Sequence, residues 1–193
     1  MRQALRQRSP ENLAQRVGAN YLAHGPETGV LSLAFWGAPV ALDFPELLAY
    51  REPHVALPLP VQALLMYHLT TSDGFPPVGQ WVSFADLTGG RMYAQAFQGY
   101  SGNQLARTFG EDIDSFRRAC LAAGGAPVAV GDAAFTFAAL PRVPLLVTYW
   151  LGEDEFPSTS KVLFDPTATQ HLPIDVQRNP QQIRVEKTIL TGL

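Results

Sequence analysis

The segment APVAVGDAAFTFAALPRVPLLVTYW, residues 126–150, decides the fold class. Its apolar, β-branched and aromatic residues predict consecutive β-strands, joined by a turn at Gly131-Asp132 and by a proline-bounded link at Leu140-Pro141. Strands joined by short connections pair antiparallel, so we expect this segment to form the centre of an antiparallel sheet. The stretch VLFD, residues 162–165, predicts one more short strand beside it.

Further strands and several helices are predicted on the N-terminal side of this segment. The stretch GVLSLAFWGAPVALDF, residues 29–44, predicts a hairpin around Trp36-Gly37-Ala38-Pro39, and QWVSF, residues 80–84, predicts another strand. Apolar residues at helical spacing predict helices over 10–24, 60–71, 91–109 and 111–123. The stretch QQIRVEKTIL near the C-terminus is a candidate final helix.

These elements predict an α+β fold in which a mostly antiparallel sheet packs against several helices. A chain of 193 residues is of the usual size for one domain, about 100–200 residues. We also expect a flexible N-terminal tail over residues 1–9, before the first predicted helix. Residues 10–193 should form a single α+β domain with an irregular, proline-rich C-terminal segment.

The charge distribution argues against nucleic acid as a partner. The net charge is −3, and only two of the 14 basic residues are lysines, so no basic stripe is available to contact a phosphate backbone. Charged residues make up 16% of the chain, against about 25% in ordinary soluble domains. This low fraction leaves three alternatives open: a proline-rich neutral surface, a deep pocket or a partner surface.

Membrane and disulfide signals are missing from the sequence. It contains neither the apolar region of a signal peptide nor a run of 18 apolar residues, so we expect a soluble, cytoplasmic protein without membrane partners. Cys120 is the sole cysteine, which excludes an intrachain disulfide and a four-cysteine iron–sulfur cluster. Its helical surroundings predict a buried structural thiol.

Nucleotide-binding and acyl-enzyme motifs are also missing. Gly89-Gly90 follows the QWVSF strand, but no Walker or dinucleotide fingerprint surrounds the pair. The two glycines are typical of a turn or of a close backbone approach.

Aromatic residues supply the candidate ligand-binding side chains, namely Trp81, Tyr93, Phe97, Tyr100 and Trp150. Their rings suit an apolar or planar ligand, although a stripe at helical spacing is also typical of a hydrophobic core.

Acidic residues and one histidine supply the candidate metal ligands, namely Glu153, Glu155, Asp165 and His171, with Asp175 as a further carboxylate. If the preceding strand continues, Glu153 and Glu155 share one of its faces. Hard cations need about six oxygen ligands, so solvated edge charges are the alternative. His68 is interpreted as a core histidine bonded to a carbonyl group.

Several stretches together resemble the microbial family known as domain of unknown function 3786. They are PLPVQALLMYHL, VGQWVSFADLTGGRMYAQAF, the helix ending at Gly124-Gly125, Gly131-Asp132, PRVPLLVTYW and EDEFPSTSKVLFD. The resemblance covers residues 10–175. Some relatives look as if they couple this domain to a cysteine-rich iron–sulfur segment similar to that of corrinoid iron–sulfur proteins, which implies a link to corrinoid or other planar cofactors. This chain departs from that pattern because it has one cysteine.

Three functional hypotheses follow. The first is a binding module for a planar cofactor or small metabolite, with the site between the aromatic helix and Trp81, Trp150 and the loop at residues 153–155. The second is a metal-assisted hydrolase or transferase that uses the acidic residues and His171. The third is a subunit that interacts with a protein partner.

Overall fold

The computed structural model describes residues 1–153 and 155–174. Seven α-helices lie in this part of the chain: α1 (Arg2–Arg6), α2 (Pro10–Val17), α3 (Leu59–Thr71), α4 (Ala94–Tyr100), α5 (Gly102–Phe109), α6 (Ile113–Ala122) and α7 (Ala168–His171). Ten strands accompany them: β1 (Asn20–Ala23), β2 (Gly29–Phe35), β3 (Ala38–Phe44), β4 (Ala49–Arg51), β5 (Val55–Ala56), β6 (Val82–Ser83), β7 (Ala126–Val128), β8 (Ala133–Leu140), β9 (Val143–Trp150) and β10 (Thr159–Phe164).

The α+β prediction is confirmed, but the strands form two sheets instead of one. The first sheet has the order β1-β2-β3-β4-β5 and the second the order β6-β10-β9-β8-β7, and every neighbouring pair is antiparallel. The predicted hairpin therefore belongs to one sheet, while QWVSF and the C-terminal strands belong to the other. The predicted strand at QWVSF is reduced to the two residues of β6.

The β2–β3 hairpin is confirmed with a tight turn. Trp36 and Gly37 lie between paired Phe35 and Ala38, and both have positive φ, 52° and 73°. Such a turn matches the right-handed twist of the strands. The Trp36 amide also donates to the Ala139 carbonyl of β8 at 3.0 Å, which joins the two sheets.

The first predicted helix is wrong beyond Val17. Ser9 caps it, since its hydroxyl oxygen accepts from the Asn12 amide at 3.2 Å, and Gly18 ends it with φ +72°. Tyr21 and Leu22, whose spacing fits a helix, instead pair with β2 as part of β1. Pairing along β2 therefore overrides the helical pattern.

The helix predicted over 91–109 is broken into three pieces: a 3₁₀ turn at Arg91–Tyr93, then α4 and α5. The break falls at Ser101-Gly102, where the chain passes against β10. A side chain at Gly102 would collide with the Ser160 carbonyl oxygen, so only glycine permits this approach. The helices predicted over 60–71 and 111–123 are confirmed as α3 and α6.

Residues 1–9, predicted as a flexible tail, contain α1, and its Leu5 is only 1% exposed. One continuous cluster of buried apolar side chains runs from Leu5 through both sheets to Leu172. The candidate helix QQIRVEKTIL lies outside the described residues. Among the described helices, none has the length and apolar character needed to cross a membrane.

Candidate ligand-binding groove

A groove lies along one edge of β10 because β6 covers only part of that edge. Strand β9 pairs with all six residues of β10, whereas β6 pairs only with Leu163 and Phe164. Beside the edge at residues 159–162 is a cavity of about 480 Å³ between β10, α4 and the chain after β6. We call it the apolar lobe. Its lining residues are Ser83, Phe84, Ala85, Ala94, Phe97, Gln98, Asn103, Thr159, Ser160, Lys161, Val162 and Leu163.

A stack of aromatic rings supports the inner wall of the apolar lobe. The rings of Phe84 and Phe97 are parallel to within 10° with centroids 4.4 Å apart, and Phe164 packs on Phe97 at 5.4 Å. Tyr100 meets Phe97 edge-on at 5.6 Å. These ring contacts make the wall apolar and closely packed.

Polar groups line the side of the apolar lobe formed by α4 and α5. The Gln98 Nε2 atom donates to the Ser160 carbonyl at 2.8 Å and to Asn103 Oδ1 at 2.9 Å. Gln98 therefore provides a donor for the Ser160 carbonyl, which lies on the part of β10 that does not pair with β6. Because the Asn103 oxygen is occupied, its amide nitrogen is the atom available to donate to a ligand.

A second cavity, of about 350 Å³, adjoins the apolar lobe and shares Asn103 and Thr159 with it. We call it the charged lobe. The other residues around it are Ala106, Arg107, Gly110, Glu111, Pro157 and Ser158. The groove thus consists of two adjoining lobes, and Arg107 and Glu111 line only the charged one.

The hydroxyl group of Ser158 organises one side of the charged lobe. It donates a short hydrogen bond to Glu111 Oε1 and accepts from the Gly152 amide at 3.1 Å. Beneath it, the Tyr149 hydroxyl donates to the Gly110 carbonyl at 2.7 Å. Burial raises the pKa of Tyr149. The Glu111 carboxylate is therefore fixed next to β10.

The predicted ligand-binding residues are only partly brought together. Phe97 lines the apolar lobe, and Tyr100 supports it from behind. Tyr93 and Trp81 are half-buried, precede α4 and β6, and are not part of the lining.

Trp150 lies on the other face of the second sheet. It pairs with Thr159, and Lys161 Nζ lies 6.0 Å from the centre of its ring. Successive side chains of a strand point to opposite faces, so Thr159 and Lys161 share the face of Trp150 while Ser160 and Val162 face the helices. The sheet therefore separates Trp150 from Phe97.

The acidic candidates at the end of β9 do not share a strand face. The prediction that Glu153 and Glu155 share a face required the strand to continue through them, but β9 ends at Trp150. Glu153 and Glu155 are exposed on the loop that follows, and Asp154 lies outside the described residues.

Asp165 is fully buried, and hydrogen bonds from neighbouring protein groups occupy both oxygens of its carboxylate. Its Oδ1 accepts from the Thr167 hydroxyl at 2.7 Å and from the Thr167 amide at 3.0 Å, and its Oδ2 accepts from the Gly79 amide at 2.8 Å. Burial raises the pKa of Asp165, but these hydrogen bonds lower it by more, and the pKa lies below its ordinary value. The carboxylate thereby fixes the loop before β6.

His171 is buried beside His68 and Ser72. The Ser72 hydroxyl donates to the Arg16 carbonyl at 2.7 Å, so it accepts from His171 Nδ1 at 2.8 Å. His68 Nδ1 donates to the His171 carbonyl at 3.2 Å, as predicted for a core histidine. Both rings therefore carry a proton on Nδ1.

Burial lowers the pKa of both histidines. That of His68 falls from 6.5 to about 4, with the His171 carbonyl offsetting part of the effect. Burial also lowers the pKa of His171, although Asp73 acts in the opposite direction.

The metal-site prediction is not supported by the described residues. Among them, no group of three or more histidine, cysteine, aspartate or glutamate side chains is close enough to hold a metal ion. Asp175, the further carboxylate, lies outside the described residues.

The predicted structural role of Cys120 is confirmed. The thiol is fully buried, and burial raises its pKa to about 12.

Sequence reasoning missed most of the polar groove residues, namely Gln98, Asn103, Arg107 and Glu111. These residue types are common on exposed helix faces, and α5 reads as an ordinary amphipathic helix. The signal that was available is Gly102, since a glycine at the break between two helical stretches indicates a close backbone contact.

The fold and site define an α+β protein with two antiparallel sheets and a two-lobed surface groove. A family model described as Domain of unknown function (DUF3786) matches residues 9–176, and the chain belongs to that family. The resemblance drawn from the sequence is thus confirmed over nearly the range expected. Comparison with curated proteins found no match, and comparison with solved structures found none either.

Proposed function

We propose that this protein is a non-catalytic binding module for a small molecule with an apolar or planar body, which it holds in the groove beside β10. One observation carries the proposal: a cavity of about 480 Å³ opens where β6 stops covering β10, against a wall of stacked aromatic rings. Ligand cavities usually have volumes of about 300–1,000 Å³ and combine apolar walls with a few polar groups.

The contacts around the groove fit binding better than chemistry. Gln98 and Asn103 offer amide groups, and Phe84, Phe97 and Val162 supply apolar contact area. No described histidine or cysteine lines either lobe. Corrinoids, haem, flavins and smaller aromatic metabolites are the ligand classes to screen.

A thermal-shift screen of the full chain tests the proposal. A ligand at 100 times its dissociation constant adds about 2.7 kcal/mol, which corresponds to a rise in Tm of about 5–10 °C. We expect a selective shift with one planar compound. A shift with divalent metal alone would contradict the proposal and favour a metal-assisted enzyme, and silence across the panel would favour a protein partner.

Three variants locate the site. Ala94→Trp fills the apolar lobe and should abolish the shift, whereas Ala122→Trp, on the exposed end of α6, should preserve it. Trp150→Ala changes the opposite face of the sheet and should also preserve it. Loss of the shift in Trp150→Ala but not in Ala94→Trp would move the site to that face and refute the groove assignment.

A further inference from the structure

The charged lobe holds a cation and an anion that do not pair with each other. Arg107 and Glu111 are four positions apart and both line this cavity. Within the described residues, the ion pair that forms is Arg117 with Asp114 on α6, at 3.1 Å. The Arg107 guanidinium therefore keeps its donors for another partner.

The backbone and Ser158 explain why the two charges stay apart. Helix α5 ends at Phe109, and Gly110 follows with φ +52°, so Glu111 leaves the helical path that would place it beside Arg107. The Ser158 hydroxyl then holds the Glu111 carboxylate toward β10. The result is a cavity with separated positive and negative ends.

A ligand with a single charge fits such a cavity poorly. An anion attracted by Arg107 is repelled by Glu111, and a cation attracted by Glu111 is repelled by Arg107. A group that carries both charges gains from each end, because guanidinium–carboxylate and ammonium–carboxylate hydrogen bonds are the strong ones.

The connection between the lobes fixes what else the ligand must carry. Asn103 and Thr159 border both cavities, so a molecule that passes Asn103 would occupy the two lobes together. With its oxygen bonded to Gln98, Asn103 presents its amide nitrogen, a donor suited to a carboxylate. The body of the ligand then lies against Phe84 and Val162 in the apolar lobe.

We infer that the groove binds a free amino acid or a close analogue with an aromatic or apolar side chain. Its carboxylate contacts Arg107 and Asn103, its ammonium group contacts Glu111, and its side chain enters the apolar lobe. This inference rests on the proposed function, because it assigns the ligand class of the same groove.

Calorimetric titration of the full chain at low salt tests the assignment with a matched series. The probes are phenylalanine, tryptophan, 3-phenylpropionate, which lacks the ammonium group, and 2-phenylethylamine, which lacks the carboxylate. We expect one of the two amino acids to bind at least tenfold more tightly than both of the singly charged compounds. Binding of all four probes within twofold of one another would overturn the inference.

Charge-removing variants assign each end of the ligand. Arg107→Gln should remove the advantage that the carboxylate gives over 2-phenylethylamine, and Glu111→Gln should remove the advantage that the ammonium group gives over 3-phenylpropionate. Arg118→Gln, on the exposed face of α6 and outside both lobes, is the matched control and should change neither. Equal effects of Arg107→Gln and Arg118→Gln would contradict the assignment of Arg107.

The outcomes separate this inference from the proposed function. If 3-phenylpropionate and 2-phenylethylamine bind as well as the amino acids and Ala94→Trp abolishes binding, the groove stands and the zwitterion assignment falls. If none of the four probes binds but a planar compound from the thermal-shift panel does, the groove again stands and the zwitterion assignment again falls. If nothing binds in either experiment, both fall.

Discussion

The side chain of Gln62 on α3 binds both backbone polar groups of Ala49 on β4. Gln62 Oε1 accepts from the Ala49 amide at 2.9 Å, and Gln62 Nε2 donates to the Ala49 carbonyl at 2.6 Å. Both residues are buried, and the Ala49 carbonyl also accepts from the Leu57 amide at 2.9 Å. The Gln62 side chain therefore supplies the partner that the Ala49 amide lacks just before the β4–β5 pairing. It ties the first sheet to α3.

Replacing Gln62 should therefore be costly. Gln62→Leu keeps the size of the side chain but leaves the buried Ala49 amide unpaired, while the Ala49 carbonyl keeps its bond from the Leu57 amide. We expect a loss of about 2 kcal/mol in the free energy of unfolding. Urea denaturation measures this loss. Gln104→Leu, on the exposed face of α5, is the control and should change stability by less than about 0.5 kcal/mol. A similar small change in both variants would show that the hydrogen bonds between Gln62 and Ala49 contribute nothing to the free energy of unfolding.

Gly102 and Gly99 make a matched pair of helix glycines. A side chain at Gly102 collides with the Ser160 backbone, whereas a side chain at Gly99 meets nothing within 4 Å. We expect Gly102→Ala to destabilise by about 1–3 kcal/mol through overpacking. Gly99→Ala should stabilise by about 0.5–1 kcal/mol because alanine is the better helix former. Denaturant midpoints of the two variants check the opposite signs, and destabilisation of equal size in both would refute the contact.

Acid should destabilise the fold through the buried histidines. The pKa of His68 is about 4 when folded and 6.5 as the ordinary value, so the unfolded chain binds the proton first as pH falls. The stabilisation is fully present above pH 6.5 and is lost between pH 6.5 and about 4. A difference of this size in pKa corresponds to about 3 kcal/mol. His171, whose pKa is also lowered, acts in the same direction.

Denaturation as a function of pH measures this loss. His68→Gln should flatten the dependence between pH 4 and 6.5, at the expense of stability at neutral pH. His24→Gln, at an exposed position between β1 and β2, is the control for the substitution itself and should leave the stability at neutral pH unchanged. An unchanged slope in His68→Gln would assign the acid sensitivity to other groups.

Cys120 should be inert in the native protein. Burial raises the pKa of its thiol to about 12, so almost no thiolate exists at neutral pH. We expect a chromogenic disulfide reagent at pH 8 to modify Cys120 only after denaturant is added. Rapid modification of the native chain would contradict the burial of this residue.

Much of the secondary structure was predictable from local pattern. The Trp36-Gly37 turn and the helices predicted over 60–71 and 111–123 are set by residues close together in sequence, and each is confirmed. The helix expected beyond Val17 failed because pairing with β2 stabilises Tyr21 and Leu22 as a strand. Pairing with a distant strand leaves no mark in a short window of sequence.

The candidate site was less predictable. Phe97, one of the predicted ligand-binding residues, lines the apolar lobe, but the sheet separates it from Trp150, which was predicted for the same site. Which face a strand residue occupies is decided by where the neighbouring layers pack. Arg107 and Glu111 were not predicted as site residues. Their separate positions in one cavity depend on the turn at Gly110 and on the hydrogen bond from Ser158.

The sequence by itself determined the α+β class, the membership in the DUF3786 family, the structural role of Cys120 and the core position of His68. The fold class and the environments of Cys120 and His68 follow from periodicity and residue type, which are local properties of the chain. The family follows from a resemblance carried by several stretches in their order along the chain. The tertiary structure alone decided that the strands divide into two sheets, that β6 leaves part of β10 uncovered, and that two lobes meet at Asn103. Those features depend on contacts between segments far apart in sequence, whose energies no local pattern records.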